Sequence, residues 1–85
     1  MTAERKDLIA ALAQSIKAID NDYQEEMREL RALFEEARKE AAKDEPDGVK
    51  LKALLADAGE MVKTFARLDP MWQGVQRVAR LFGLD

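Results

Sequence analysis

The sequence contains no cysteine and no histidine, and only four of its residues are glycine and two are proline. Without cysteine the chain has no disulfide, no thiolate nucleophile and no cysteine-based zinc site. Without histidine it has no imidazole base and no imidazole ligand for a metal. A glycine-rich phosphate loop is also absent. We therefore expect no enzyme activity, no bound metal and no cofactor.

The 85 residues are enough for one small domain, with a hydrophobic core at the lower limit of self-sufficiency. A content of 47% hydrophobic and 36% charged residues indicates a folded chain rather than a disordered one. No apolar run approaches the ~18 residues that span a bilayer. The N-terminal segment also lacks the apolar stretch of a secretory signal. We expect a soluble, cytoplasmic protein that forms a single domain over residues 1–85.

Charge is distributed unevenly along the chain, whose formal net charge is −3. Residues 1–48 carry 8 basic and 13 acidic side chains, whereas residues 49–85 carry 6 basic and 4 acidic ones. The most acidic stretch, residues 20–47, has 11 acidic against 5 basic side chains. This charge argues against broad contact with nucleic-acid phosphates and favours attraction of a basic partner.

Apolar residues recur every three or four positions in the first half, which is the spacing of one face of a helix. Thr2 is a suitable residue to cap the start of this helix. Pro46 disfavours helical geometry in the residue before it. The pattern therefore predicts one long, coiled-coil-like helix over about residues 3–44. The members of this apolar stripe are Leu8, Leu12, Ile16, Ile19, Tyr23, Met27, Leu30, Phe34, Ala37 and Ala41.

Residues 20–22, Asp-Asn-Asp, are the weak point of this long helix because all three are poor helix formers. Asp22 and Glu25 also have the spacing of a capping box that starts a new helix. The apolar stripe nevertheless continues in phase from Ile19 to Tyr23. We favour a continuous helix and keep a break at this triplet as the alternative.

Residues 44–48 contain turn-forming types and predict a loop between the first helix and the second. The second helix is predicted over about residues 49–68. Pro70 fits the first turn of a third helix, which is predicted over about residues 70–82. Gly83 is suited to end that helix because glycine readily adopts left-handed geometry.

The predicted fold class is all-α, with the long N-terminal helix packed antiparallel against the two shorter helices as a helical hairpin or three-helix bundle. A helix of about 41 residues would be roughly 60 Å long. Two short neighbours cannot cover its whole apolar stripe, so we expect a homodimer to complete the bundle. Gly59 and Gly74 lie inside helices at a cost of about 1 kcal/mol each, so we expect close packing at both.

The core and the expected dimer interface draw on the middle of the apolar stripe together with the single tryptophan. Large aromatic side chains dominate both protein cores and protein interfaces, so Trp72 is expected to anchor the third helix. The residues assigned to this group are Leu12, Ile16, Ile19, Tyr23, Met27, Leu30, Phe34 and Trp72.

Glutamates flank the apolar stripe, and most of them have a cation three or four residues further along the helix. Such local pairs stabilise a helix by only a few tenths of a kcal/mol each. A solvated acidic face is therefore the simplest interpretation of these residues. The predicted pairs are Glu25 with Arg28, Glu35 with Lys39, Glu36 with Lys39, and Glu40 with Lys43.

Two exposed faces are candidates for binding a partner. The first is the acidic flank of the first helix, and the second is a polar stripe at i, i+3, i+4 and i+7 on the third helix. Glutamine and arginine are residue types that read base edges in DNA. The candidate residues are Glu25, Glu26, Glu29 and Glu36 on the first face, and Gln73, Gln76, Arg77 and Arg80 on the second.

These observations favour a non-enzymatic protein–protein interaction module, an adaptor, inhibitor or small subunit that presents an acidic helical surface. Its expected partners are a second copy of itself and another protein. The alternative is a small nucleic-acid-binding regulator that uses the polar stripe of the third helix. Only two arginines lie on that stripe, so we expect neither nucleic acid nor a membrane to be the main partner. We interpret the chain as a bacterial or phage accessory protein.

Overall fold

The computed structural model describes residues 3–83, which form four α-helices and two short 3₁₀ helices and contain no strand. The predicted all-α fold class is therefore confirmed. Thr2, the expected cap of the first helix, lies outside the described residues. No helix in the described range has the length and the apolar character needed to cross a membrane. The α-helices are α1 (Ala3–Asn21), α2 (Arg28–Ala41), α3 (Gly48–Val62) and α4 (Asp69–Phe82), and the 3₁₀ helices are Glu25–Met27 and Ala66–Leu68.

The structure corrects the prediction of one continuous helix over residues 3–44, because α1 ends at Asn21 and α2 runs back along it. The reversal falls at the Asp-Asn-Asp triplet, so the alternative of a break at this point is right. Asp22 does not form the capping box considered with that alternative, since the 3₁₀ helix that follows has Gln24 before it and no side-chain cap. Poor helix propensity at the triplet makes this the place where interrupting the helix costs least.

Ion pairs hold the two sides of the reversal together. The Arg31 guanidinium of α2 donates two hydrogen bonds to the Asp20 carboxylate of α1, with Nε–Oδ1 at 2.6 Å and Nη2–Oδ2 at 2.9 Å. Asp22 forms an ion pair with Arg67, which lies in the second 3₁₀ helix. The reversal is therefore tied both to α2 and to the turn before α4.

The reversal turns the two halves of the apolar stripe toward each other, so that one chain buries its own stripe. Tyr23 is the exception: its position in the reversal leaves it 44% exposed and outside the core to which the sequence assigned it. Every other member of the stripe is buried, namely Leu8, Leu12, Ile16, Ile19, Met27, Leu30, Phe34, Ala37 and Ala41.

Folding back also removes the long rod that motivated a homodimer. The principal extents of the described chain are 33 × 20 × 19 Å, compared with the roughly 60 Å expected for the continuous helix. Because α2, α3 and α4 contribute to the same core, the stripe is covered within one chain. The homodimer therefore remains a prediction, but an uncovered apolar stripe is no longer a reason to expect it.

The four helices pack with one open side. α1 packs against both α2 and α4, and α2 also packs against α3, whereas α3 and α4 make few direct contacts. The short connections make neighbouring helices along the chain antiparallel. Asp47 caps α3, since its carboxylate accepts hydrogen bonds from the backbone N–H groups of Val49 at 3.0 Å and Lys50 at 3.2 Å.

α3 corresponds to the second helix predicted from the sequence, but it ends at Val62 rather than near residue 68. Phe65 leaves helical geometry, and the 3₁₀ turn after it buries Leu68 in the core. Thr64 and Phe65 have low helix propensity, so little is lost by ending the helix before them. At the other end of α4, Gly83 adopts a left-handed φ of 95° and ends the helix, as predicted.

Trp72 joins α3 and α4 at one place. Its half-buried ring packs against Phe34, with the ring centroids 6.1 Å apart and the planes tilted by 48°. A Cβ at Gly59 would lie 2.8 Å from Cζ2 of Trp72, so the ring needs a glycine there. A Cβ at Gly74 would meet nothing within 4 Å. The expectation of close packing is therefore right at Gly59 and wrong at Gly74.

Alanine at these two glycines is expected to have opposite effects on stability. Gly74→Ala should raise the free energy of unfolding by about 1 kcal/mol, because the helix gains propensity and no atom is displaced. Gly59→Ala should show no gain or a loss, because the new methyl group must move the Trp72 ring. Urea unfolding monitored by circular dichroism measures both values. Equal stabilisation by the two substitutions would contradict the packing of Trp72 on Gly59.

Candidate partner-binding groove

The turn between α2 and α3 is fixed by a buried carboxylate. Glu40, only 3% exposed, accepts a hydrogen bond at Oε2 from the backbone N–H of Asp47 at 3.0 Å. Its Oε1 lies 3.0 Å from Nζ of Lys43 and 3.5 Å from Nζ of Lys50. The Asp47 N–H and the Lys43 ammonium hold the pKa of Glu40 below its usual range, against the opposing effect of burial. This contact connects the end of α2 to the start of α3.

The lowered pKa of Glu40 predicts how the α2–α3 turn responds to acid. A carboxyl group with a lower pKa in the folded state than in the unfolded state adds stability above its unfolded pKa, about 4.3. That stability is lost as the pH falls through the lowered folded pKa. Glu40→Gln should therefore reduce the free energy of unfolding at pH 7 and weaken its dependence on pH below about 4.3.

Glu36→Gln is the matched control because Glu36 lies on the same helix, is exposed and has no ion pair among the described residues. Urea unfolding across pH 3–7 gives both quantities for the wild type and the two variants. A Glu40→Gln variant as stable as the control at neutral pH would show that this carboxylate does not hold the turn.

An open groove of about 510 Å³ lies between α2 and α3 on their outer side. Its floor is apolar, with Leu33 and Met61 half-buried and Ala32 exposed. Its rims are acidic on both sides, because each helix contributes two exposed carboxylates. These four, which we call the groove carboxylates, are Glu29 and Glu36 of α2 and Asp57 and Glu60 of α3.

Three of the four groove carboxylates have no cation within 4 Å among residues 3–83. Glu60 is the exception, because its Oε1 lies 3.2 Å from Nζ of Lys63. The expected pairing of Glu36 with Lys39 is not formed. The groove therefore carries negative charge that this part of the chain does not neutralise.

Five of the twelve carboxylates outside the groove form ion pairs within residues 3–83, so lack of a nearby cation alone does not distinguish the groove. The predicted ion pairs of Glu25 with Arg28 and of Glu40 with Lys43 are formed. Glu35 pairs with two arginines of α2, Arg31 at 3.6 Å and Arg38 at 3.2 Å, instead of the predicted Lys39.

Two of the four groove carboxylates, Glu29 and Glu36, are among the candidates that the sequence pattern suggested. The pattern also suggested Glu25 and Glu26, which are exposed on the 3₁₀ turn and do not line the groove. It missed Asp57 and Glu60, whose spacing of three places them on one face of α3. That spacing was visible in the sequence, but their position beside α2 depends on how the helices pack.

The residues of the polar stripe on α4 do not all lie beside the same concave surface. All four residues are exposed, but Gln76 and Arg80 line a cleft toward α3, whereas Arg77 lines a groove toward α1. Gln73 lines neither. Consecutive helical residues are about 100° apart, so Gln76 and Arg77 face opposite sides of the exposed ridge of α4.

Within residues 3–83 no group of three or more acidic side chains is arranged to hold a metal ion. The chain matches no family model, no curated protein and no solved structure. Its function therefore has to be inferred from the residues themselves.

Proposed function

We propose that this protein is a non-enzymatic protein–protein interaction module, which binds a basic amphipathic helix of a partner in the groove between α2 and α3. The observation that carries the proposal is the groove itself: an apolar floor lies between two acidic rims. Three of its four carboxylates lack an intramolecular cation within residues 3–83. Such an adaptor, inhibitor or small subunit needs no catalytic group.

Electrostatics supports a basic partner. Carboxylates on facing rims repel one another, and lysine or arginine side chains from outside relieve that repulsion. The long apolar stems of those side chains can cover Leu33 and Met61 while their charged ends reach the rims. Methionine also adapts its shape to different apolar partners. The acidic rims and the apolar floor of the groove thus favour the same kind of ligand.

The groove dimensions support a helix as the form of that ligand. Glu29 and Glu36 are seven residues apart on α2, which is about 10 Å along the helix axis. An amphipathic helix presents apolar anchors at i, i+3, i+4 and i+7 over a similar length. The proposed partner segment therefore has apolar residues on one face and lysine or arginine on both flanks of that face.

The nucleic-acid alternative has less support. Arg77 and Arg80 are neighbours on the exposed surface of α4, but they are the only two cations of the polar stripe. Phosphate contacts dominate affinity for nucleic acid, and few cations are available here to make them. Self-association, a cytoplasmic location and a bacterial or phage origin stay predictions from the sequence.

A synthetic peptide tests the proposal directly. The probe is a labelled 14-residue amphipathic helix with leucines on one face and lysines on both flanks, and its control carries glutamates in place of the lysines. We expect fluorescence anisotropy at 50 mM salt to detect binding of the basic peptide alone. Binding should weaken at 300 mM salt, because exposed ion pairs are screened.

Substitutions distinguish binding in the groove from a general attraction of the basic peptide to a negatively charged protein. The triple variant Glu29→Gln, Glu36→Gln, Asp57→Asn should bind the basic peptide about tenfold more weakly, since exposed pairs contribute about 0.2–1 kcal/mol each. The control triple Glu4→Gln, Glu26→Gln, Glu45→Gln removes the same charge from exposed sites outside the groove. Equal losses in the two variants, or no binding by the wild type at low salt, would refute the groove as the binding site.

A further inference from the structure

The open side of the bundle contains a second concave surface, on the opposite flank of α3 from the groove carboxylates. α3 and α4 make few direct contacts, and they meet where the Trp72 ring lies against Gly59. Beside that contact the two helices leave a cleft of about 230 Å³. Its floor is apolar and closed, since Leu55, Val75 and Ala79 are all buried.

The rim of this cleft carries positive charge. Lys52 of α3 and Arg80 of α4 line it, and both are exposed. Neither has a carboxylate within 4 Å among the described residues. Gln76, also exposed on the rim, adds an amide that donates and accepts hydrogen bonds. The rim therefore offers three donor side chains around an apolar floor.

The two ends of the cleft differ in chemistry. Because α3 and α4 are antiparallel, Lys52 near the start of α3 lies at the same end as Arg80 near the end of α4. The opposite end is closed by Trp72 packed on Gly59. One end is thus cationic and open, and the other is aromatic and apolar. This polarity matches a molecule with an anionic head and an apolar body.

We propose that the cleft between α3 and α4 binds a small amphipathic monoanion, with its carboxylate between Lys52 and Arg80 and its hydrocarbon part against Trp72. The cleft is larger than the ~150 Å³ of a cavity that holds benzene, so a short acyl chain or a single ring fits. Its volume is less than half that of the groove between α2 and α3, about 230 against 510 Å³, which favours a small molecule over a helix from another protein. The site is independent of the groove between α2 and α3.

Trp72 provides the readout because it is the only tryptophan in the chain and forms the apolar end of the cleft. The probes are octanoate, octan-1-ol and octylammonium, which share a tail and differ in the charge of the head. Octanoate is expected to change the Trp72 emission saturably at millimolar concentration. Octan-1-ol should bind about tenfold more weakly, because it lacks the charge that the two cations attract. Octylammonium should not bind.

A double variant tests the role of the rim. Lys52→Gln with Arg80→Gln should reduce the affinity for octanoate to that for octan-1-ol. The control Lys6→Gln with Lys39→Gln removes the same charge from exposed positions outside the cleft and should leave octanoate binding unchanged. Circular dichroism verifies that both variants keep their helicity.

Three results would overturn the proposal. These are no saturable response of the wild type to octanoate, equal affinities for the three probes, and equal losses in the two double variants. None of them bears on the groove between α2 and α3, where peptide binding is measured with a different ligand and different variants.

Discussion

Everything in this structure depends on the chain reversal after α1. An apolar stripe along one long helix cannot cover itself, whereas two antiparallel halves can. Each fully buried leucine, isoleucine, phenylalanine or methionine side chain contributes about 1.5–3 kcal/mol relative to exposure. The solvent-exposed ion pairs at the reversal contribute far less, because water screens the charges. Burial of the stripe therefore stabilises the hairpin, while the poor helix propensity of residues 20–22 favours the turn at that point.

The reversal also creates both concave surfaces. It returns α2 to the start of α1, where Nη1 of Arg5 donates a hydrogen bond to the backbone oxygen of Asp44 at 3.4 Å. The Glu40 contact then directs α3 back along α2, which brings Asp57 and Glu60 opposite Glu29 and Glu36. α3 consequently has an acidic groove on one flank and a cleft with cations on the other. Oppositely charged surfaces on one small domain favour ligands of opposite charge at separate sites.

Much of the fold could be predicted from the sequence, because periodicity records which residues are buried. The helical class, the loop before α3, the end of α4 at Gly83 and nine of the ten stripe positions follow from local rules. The break at residues 20–22 could not be decided in this way. The short reversal returns the next apolar residue, Met27, to the core. Tyr23 keeps the helical spacing of the apolar stripe in the sequence, but it lies in the reversal and is exposed.

The candidate sites were less predictable than the core because they join residues that are distant in the chain. Glu29 and Asp57 become neighbours only through the packing of α2 on α3, and Lys52 and Arg80 only through that of α3 and α4. Helix spacing grouped Arg77 with Arg80, but it gave no sign that Arg80 also lies near Lys52 of α3. A face of a single helix is therefore weaker evidence for a site than a groove between two helices.

A distance between α1 and α2 tests the central claim, the reversal, most directly. The chain has no cysteine, so Lys6→Cys and Lys39→Cys provide two exposed and unique sites for spin labels. Pulsed electron paramagnetic resonance, with labelled chains diluted in unlabelled ones, then measures the distance within one molecule. The longest principal extent is 33 Å, so the hairpin predicts a distance well inside that length. A distance near 50 Å, which is the span of about 33 residues in one continuous helix, would contradict it.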